Sequence, residues 1–182
     1  MRELALNVLD IAENSVKAGA KHVDIKVAVK EDILEIIVSD DGCGMSKEVL
    51  EKATDPYFTT RKTRGVGLGI PFFKAEAETS GGTFSIESEE GKGTEVKATF
   101  MLNHIDRPPL GDLSGTIIAL LPGCSVRELK FTFEANGKTF VFDTEEVKEQ
   151  WEGTPFDEPF ALKFIKELIQ ENITSIVGGV VL

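Results

Sequence analysis

Along residues 3 to 18, Leu4, Val8, Ile11, Ala12 and Ser15 recur at helical spacing, which predicts a helix with one buried face. Gly19 ends it. Val23, Ile25, Val27 and Val29 then alternate with polar residues, and a second apolar run spans Ile33 to Val38, the pattern of two hairpin strands. Ser46 is placed to cap a short helix to about Ala53. Residues 54 to 67 are polar, basic and glycine-containing, with Tyr57 and Phe58 as their substantial apolar anchors, so a mobile loop is expected. A helix is predicted from Leu68 to Thr79, with Pro71 in its first turn and Ser80-Gly81-Gly82 as its stop. Thr83 to Ser88 and Thr94 to Leu102 read as strands joined by the turn Glu90-Gly91-Lys92-Gly93.

The character changes at Asp106-Arg107-Pro108-Pro109, where two prolines interrupt any regular element. A boundary there divides the chain into residues 1–104 and a small α/β appendage at 105–182. Leu113 to Leu121 suits a short helix, and Leu129 to Phe133 and Thr139 to Phe142 flank Asn136-Gly137, a signal for a tight hairpin turn. Thr144 to Trp151 and Phe160 to Gln170 are amphipathic helices, with Trp151, Phe156 and Phe160 forming either a partner surface or, as the favoured reading, the appendage's own core.

Charge narrows the classes of partner. The 182 residues hold 20 Lys/Arg against 31 Asp/Glu, a net charge of −11 carried by both halves, and such a surface repels nucleic acid and anionic lipid. The two cysteines, Cys43 and Cys124, lie far apart without a C-x-x-C pair or a nearby histidine, which points away from a disulfide framework or a zinc site. With no apolar run near the roughly 18 residues that span a bilayer, a soluble cytoplasmic protein is expected.

Three stretches carry chemistry. On the first helix Asp10, Glu13, Asn14 and Lys17 share one face, where a neutral carbonyl oxygen and a cation suit a metal-bound polyphosphate, although a solvated face shows the same pattern. Asp40-Asp41-Gly42-Cys43-Gly44 follows an apolar strand, so its carboxylate can accept from an exocyclic amine at a sheet end. Gly65-Val66-Gly67-Leu68-Gly69 runs into a helix and presents backbone N–H groups and the positive dipole end to an anion, with Arg61, Lys62 and Arg64 adding charge upstream. The P-loop is excluded because Ile86 stands where its first glycine belongs, and the dinucleotide fingerprint because Ile70 takes its last glycine position.

In this order the motifs resemble the GHKL superfamily of ATPases and kinases over residues 4 to 102. The resemblance rests on Asn14, the loop Asp40 to Gly44, the expected lid 54–64, Gly65 to Gly69, and Gly91 to Thr94. It implies an α+β fold, a two-layer α/β sandwich of the Bergerat type, with ATP and Mg²⁺ as cofactors. It implies Asn14 as Mg²⁺ ligand, Lys17 as phosphate contact, Asp40 on the adenine amino group, Thr94 as a second adenine-side contact, Gly42 and Gly44 in the base pocket, and Arg61, Lys62, Arg64, Gly65, Gly67, Leu68 and Gly69 around the phosphates. Asp10 stands four before Asn14, where gyrase-like members and anti-sigma serine kinases have a glutamate that activates the attacking water or hydroxyl. Histidine kinases commonly lack that acid and carry a phosphoacceptor histidine on a preceding helical hairpin. Only nine residues precede Asp10, and His22 and His104 read as structural or solvent-facing, so a complete histidine kinase is not expected.

Three functions follow: a kinase acting in trans on a partner protein, an ATPase switch that changes the surface of the C-terminal segment, and a non-catalytic ATP sensor. The phosphoacceptor, the partner and the oligomeric state leave no mark in the sequence.

Overall fold

The computed structural model describes residues 3–55, 69–122, 128–150, 158–178 and 182. Six strands form one sheet: β1 (His22–Lys30), β2 (Ile33–Asp40), β3 (Phe84–Glu89), β4 (Gly93–Met101), β5 (Glu128–Ala135) and β6 (Lys138–Asp143), in the spatial order β3-β4-β2-β1-β5-β6. Every neighbouring pair is antiparallel except β1 and β5. The register aligns the apolar positions on one face: Val96, Val38, Ile25, Phe131 and Phe142 follow one another across five strands, and Phe100, Leu34 and Val29 make a further row. Because side chains alternate along a strand, the opposite face carries Glu35, Lys97, Lys26 and Glu134, whose ions pair as Lys97–Glu35 at 2.6 Å and Lys26–Glu134 at 2.9 Å.

Helices cover the apolar face as a second layer. α1 (Leu4–Lys17) buries Leu4, Ala5, Val8, Ile11, Ala12 and Ser15, the face its periodicity predicts. α3 (Gly69–Thr79) packs beside it with Phe73 fully buried, its ring 5.5 Å from that of Phe100. α4 (Leu113–Leu120) and α6 (Pro159–Val177) bring Leu113, Ile117, Ile165 and Ile169 into the same core. Two short helices, α2 (Lys47–Lys52) and α5 (Thr144–Gln150), complete the described elements. The outcome is the expected α+β class with one helical layer on one sheet.

Residues after 104 are joined to those before by strand pairing and by backbone bonds. Leu4 and Ala5 donate their N–H groups to the Pro109 and Leu110 carbonyls at 3.0 and 2.8 Å, which satisfies two donors that a helix start leaves orphaned. Thr116 Oγ1 donates to the Ala5 carbonyl at 3.0 Å. The hairpin turn at Asn136-Gly137 takes positive φ at both residues (52° and 71°), as a two-residue turn of this hand requires. Asn136 Nδ2 also donates to the Ile176 and Val177 carbonyls and so closes the end of α6.

Two expectations are corrected. α6 runs to Val177 rather than Gln170, because Ile173 and Ile176 continue the buried stripe of Ile165 and Ile169 through a β-branched stretch of low helix propensity, until Gly178 stops it at φ 59°. Phe160, expected in a core, is 80% exposed, since burial on α6 falls on Ala161 and Ile165 instead. Trp151, Phe156 and Cys124 lie outside the described residues.

A candidate nucleotide site between the first helix and the sheet end

β2 ends at Asp40, and the chain must turn in the narrow space between the end of α1 and the β3–β4 turn. Glycine makes the turn fit. A Cβ on Gly44, whose φ is 63°, would stand 2.0 Å from the Glu89 carbonyl oxygen, and one on Gly93, at φ 112°, would stand 1.9 Å from that of Asp40. The loop is pinned at both sides: Cys43 N–H donates to the Ala18 carbonyl at 3.0 Å, and Gly91 N–H donates to the Cys43 carbonyl at 2.8 Å.

The cleft so formed has a volume of roughly 570 Å³, within the usual range for small-molecule sites. Its apolar wall includes Ile11, Ala18, Val38, Met45, Ile70 and Val96, and its polar lining includes Asn14, Ser15, Lys17, Asp40, Glu90 and Thr94. Asp40 is oriented rather than loose. Ser15 donates its hydroxyl to Asp40 Oδ2 at 2.6 Å, and Gly42 donates its backbone N–H to Oδ1 at 2.8 Å. A carboxylate has about four lone-pair sites, so acceptor capacity remains for a ligand. Thr94 is the register partner of Asp40 on β4, and its hydroxyl lies 2.9 Å from Ser88 Oγ, which also accepts from Met45 N–H at 2.9 Å.

Lys17 stands at the rim with its ammonium 2.8 Å from Glu13 Oε2, both side chains about half exposed. Asp10 is exposed and is not among the residues that line the cavity, but it abuts the start of α3: a Cβ on Gly69 would come 2.9 Å from the Asp10 Cβ. One turn away Asn7, buried to 3% exposure, donates to Glu76 and ties α1 to α3 a second time. Thus Asn14, Lys17, Asp40, Gly44 and Thr94 meet at one cavity, Gly42 supports Asp40, and Asp10 and Gly69 meet beside it. Arg61, Lys62, Arg64, Gly65, Gly67 and Leu68, with most of the expected mobile loop, lie outside the described residues.

Two contributors were missed from sequence. In the sequence Ser15 reads only as part of the buried stripe; a hydroxyl at 3% exposure must find a partner, and that requirement is the signal for its role. Asp41 reads in the sequence as part of one loop motif with Asp40, yet it is not among the cavity-lining residues and accepts from Lys21 N–H, His22 N–H and the His22 ring. Desolvation works to raise its pKa, and these bonds outweigh it, leaving the carboxyl at about 2. Ser15→Ala is expected to weaken adenosine binding by about threefold without loss of fold, because the Gly42 N–H still holds one Asp40 oxygen; calorimetry and a thermal melt check both parts.

The first helix and the sheet end of this two-layer α+β fold thus enclose an apolar cleft with polar groups along one side. The family described as histidine kinase-, DNA gyrase B-, and HSP90-like ATPase matches residues 2–104, and the chain belongs to it. Membership supports ATP binding. The histidine protein kinase DivJ of Caulobacter vibrioides is 36% identical over 101 residues, covering 52% of this chain and 17% of that protein. The sensor histidine kinase ZraS of Escherichia coli is 33% identical over 106 residues, 57% of this chain and 23% of that protein. The chain therefore spans less than a quarter of either relative. Full-length ShkA in complex with AMPPNP is a solved structure at TM-score 0.44 and 23% identity, covering 52% of this chain and 20% of that one. Among the described residues no helix is long and apolar enough to cross a membrane.

Proposed function

We propose that this chain binds MgATP in the cavity between α1 and the sheet end and delivers the γ-phosphate to an acceptor, either a separate partner protein or water. The observation that carries the reading is the doubly anchored Asp40 at the end of an apolar cleft, which offers its remaining lone pairs to an adenine amine. Lys17 takes a phosphate at small cost, since its pairing with half-exposed Glu13 is a surface contact of roughly 0.3–0.5 kcal/mol.

The donors suit Mg²⁺. Asn14 offers a single neutral carbonyl oxygen, so an ion held there would take its other ligands from phosphate oxygens and water, as Mg²⁺ habitually does. Bound there through Asn14 Oδ1, Mg²⁺ would neutralise charge on the polyphosphate. Asn14→Ala is expected to weaken MgATP binding about fivefold and leave adenosine binding unchanged, as measured by calorimetry with both ligands. Equal losses for the two would assign Asn14 to helix packing.

Asp10 supplies the acid beside the reacting phosphate, at the junction of α1 with the start of α3. Its exposure and its place outside the cavity lining favour a second reading, a sensor that binds ATP without turnover. Incubation with γ-labelled ATP, with and without lysate of the source organism, separates the readings. A labelled partner supports the kinase, free phosphate the ATPase switch, and neither the sensor.

A further inference from the structure

His22 opens β1 beside the nucleotide loop, and both of its ring nitrogens face carboxylates. Nδ1 lies 2.7 Å from Asp41 Oδ2, and Nε2 lies 2.7 Å from Glu128 Oε2 at the start of β5. A neutral imidazole has a single N–H and can donate to one of these two groups, whereas the imidazolium donates to both. The charged groups facing His22 among the described residues are Asp41 on the loop after β2, Glu128 on β5 and Asp24 on β1 itself, all of them acidic. Asp41 is in turn the chain neighbour of Asp40, and its Oδ1 accepts the Lys21 and His22 N–H groups at 2.7 and 2.8 Å.

We infer that protonated His22 is a positioning residue for the nucleotide loop, bridging Asp41 to Glu128 so that Asp40 is held in place for its ligand. This rests on the proposed role of Asp40 toward adenine, and it links that site to the C-terminal segment through one side chain. Charge on the ring is favoured first by the Asp41 bond, against some desolvation, and then by the three surrounding carboxylates, so the histidine's pKa lies above its ordinary 6.5. Both arms of the clamp are therefore present below pH 6.5, and one of them is lost as pH rises through the raised folded value. The His22 and Asp41 side chains are 56% and 41% exposed, so solvent weakens the contact and the effect on affinity is about threefold.

Adenosine is the probe, because it carries no phosphate that titrates near neutrality. Calorimetry from pH 6 to pH 8.5 should show the parent losing about threefold in adenosine affinity, and His22→Gln should show a flat profile near the parent's high-pH value. Glu128→Gln should move the parent's midpoint to lower pH. In the parent alone, saturation with adenosine should shift the NMR titration of the His22 ring to higher pH, since linkage is reciprocal. A flat parent profile, a His22→Gln profile as steep as the parent's, or a ring titration indifferent to adenosine overturns the inference. Absence of adenosine binding at every pH overturns the adenine-site reading and the coupling with it, whereas binding with a flat profile removes the coupling alone.

Discussion

Asp10→Asn is expected to leave MgATP affinity within about threefold of the parent and to lower phosphoryl transfer or hydrolysis by about 10²-fold, the scale of a lost general base. The substitution keeps size and helix geometry while removing the charge and the basicity of the carboxylate. Asp10 abuts Gly69 at the first turn of α3, one helical turn from Asn14 on α1, so under the proposed function it lies next to the metal-bound phosphates. A carboxylate there orients a water or hydroxyl for in-line attack, which changes rate without changing ground-state affinity. A plainer role competes: an acid at a helix N-terminus stabilises it by about 0.3–1 kcal/mol through the helix dipole. The two roles separate by measurement. If Asp10 only stabilises α3, Asp10→Asn lowers the melting temperature slightly and leaves turnover undiminished; if it is the base, turnover collapses while the melt scarcely moves. Asp10→Glu should retain or raise activity, because one further methylene extends its reach.

Asp40→Asn should weaken ATP and adenosine binding by about tenfold or more, from the bonds already drawn around the carboxylate. The Gly42 N–H can only donate, so it retains the amide oxygen of an asparagine and leaves the amide nitrogen where Oδ2 now accepts from Ser15. The Ser15 hydroxyl can rotate to accept; an adenine amine cannot. A donor buried against a donor in an apolar cleft costs roughly 1–3 kcal/mol, which is the expected loss. Calorimetry on the two proteins checks it, and equal affinities would remove Asp40 from the base pocket.

Much of this was legible because it is written locally. The periodicities of α1 and β1 place their buried faces correctly, and the two short runs flanking Asn136-Gly137 give the β5–β6 hairpin and its turn. The glycines announced close approach, and the space around Gly44 and Gly93 explains them. What stayed hidden is what long-range partners decide. That β5 lies parallel to β1, with His22 opposite Glu128, is a pairing across about a hundred residues with no local signature. The Ser15 hydroxyl reads as a small residue on an apolar stripe until Asp40 arrives opposite it. Phe160 failed for the converse reason: an aromatic residue near a helix start is buried only if the helix turns that way, and α6 turns Ala161 and Ile165 inward.

The measurement that bears most directly on the central claim is a crystal structure of the chain grown with AMPPNP and Mg²⁺. The account predicts the adenine between Val38, Met45 and Val96 with its amino group on Asp40, and Mg²⁺ about 2.1 Å from Asn14 Oδ1 with phosphate oxygens completing its shell. A nucleotide bound elsewhere, or one whose base leaves Asp40 untouched, would contradict it.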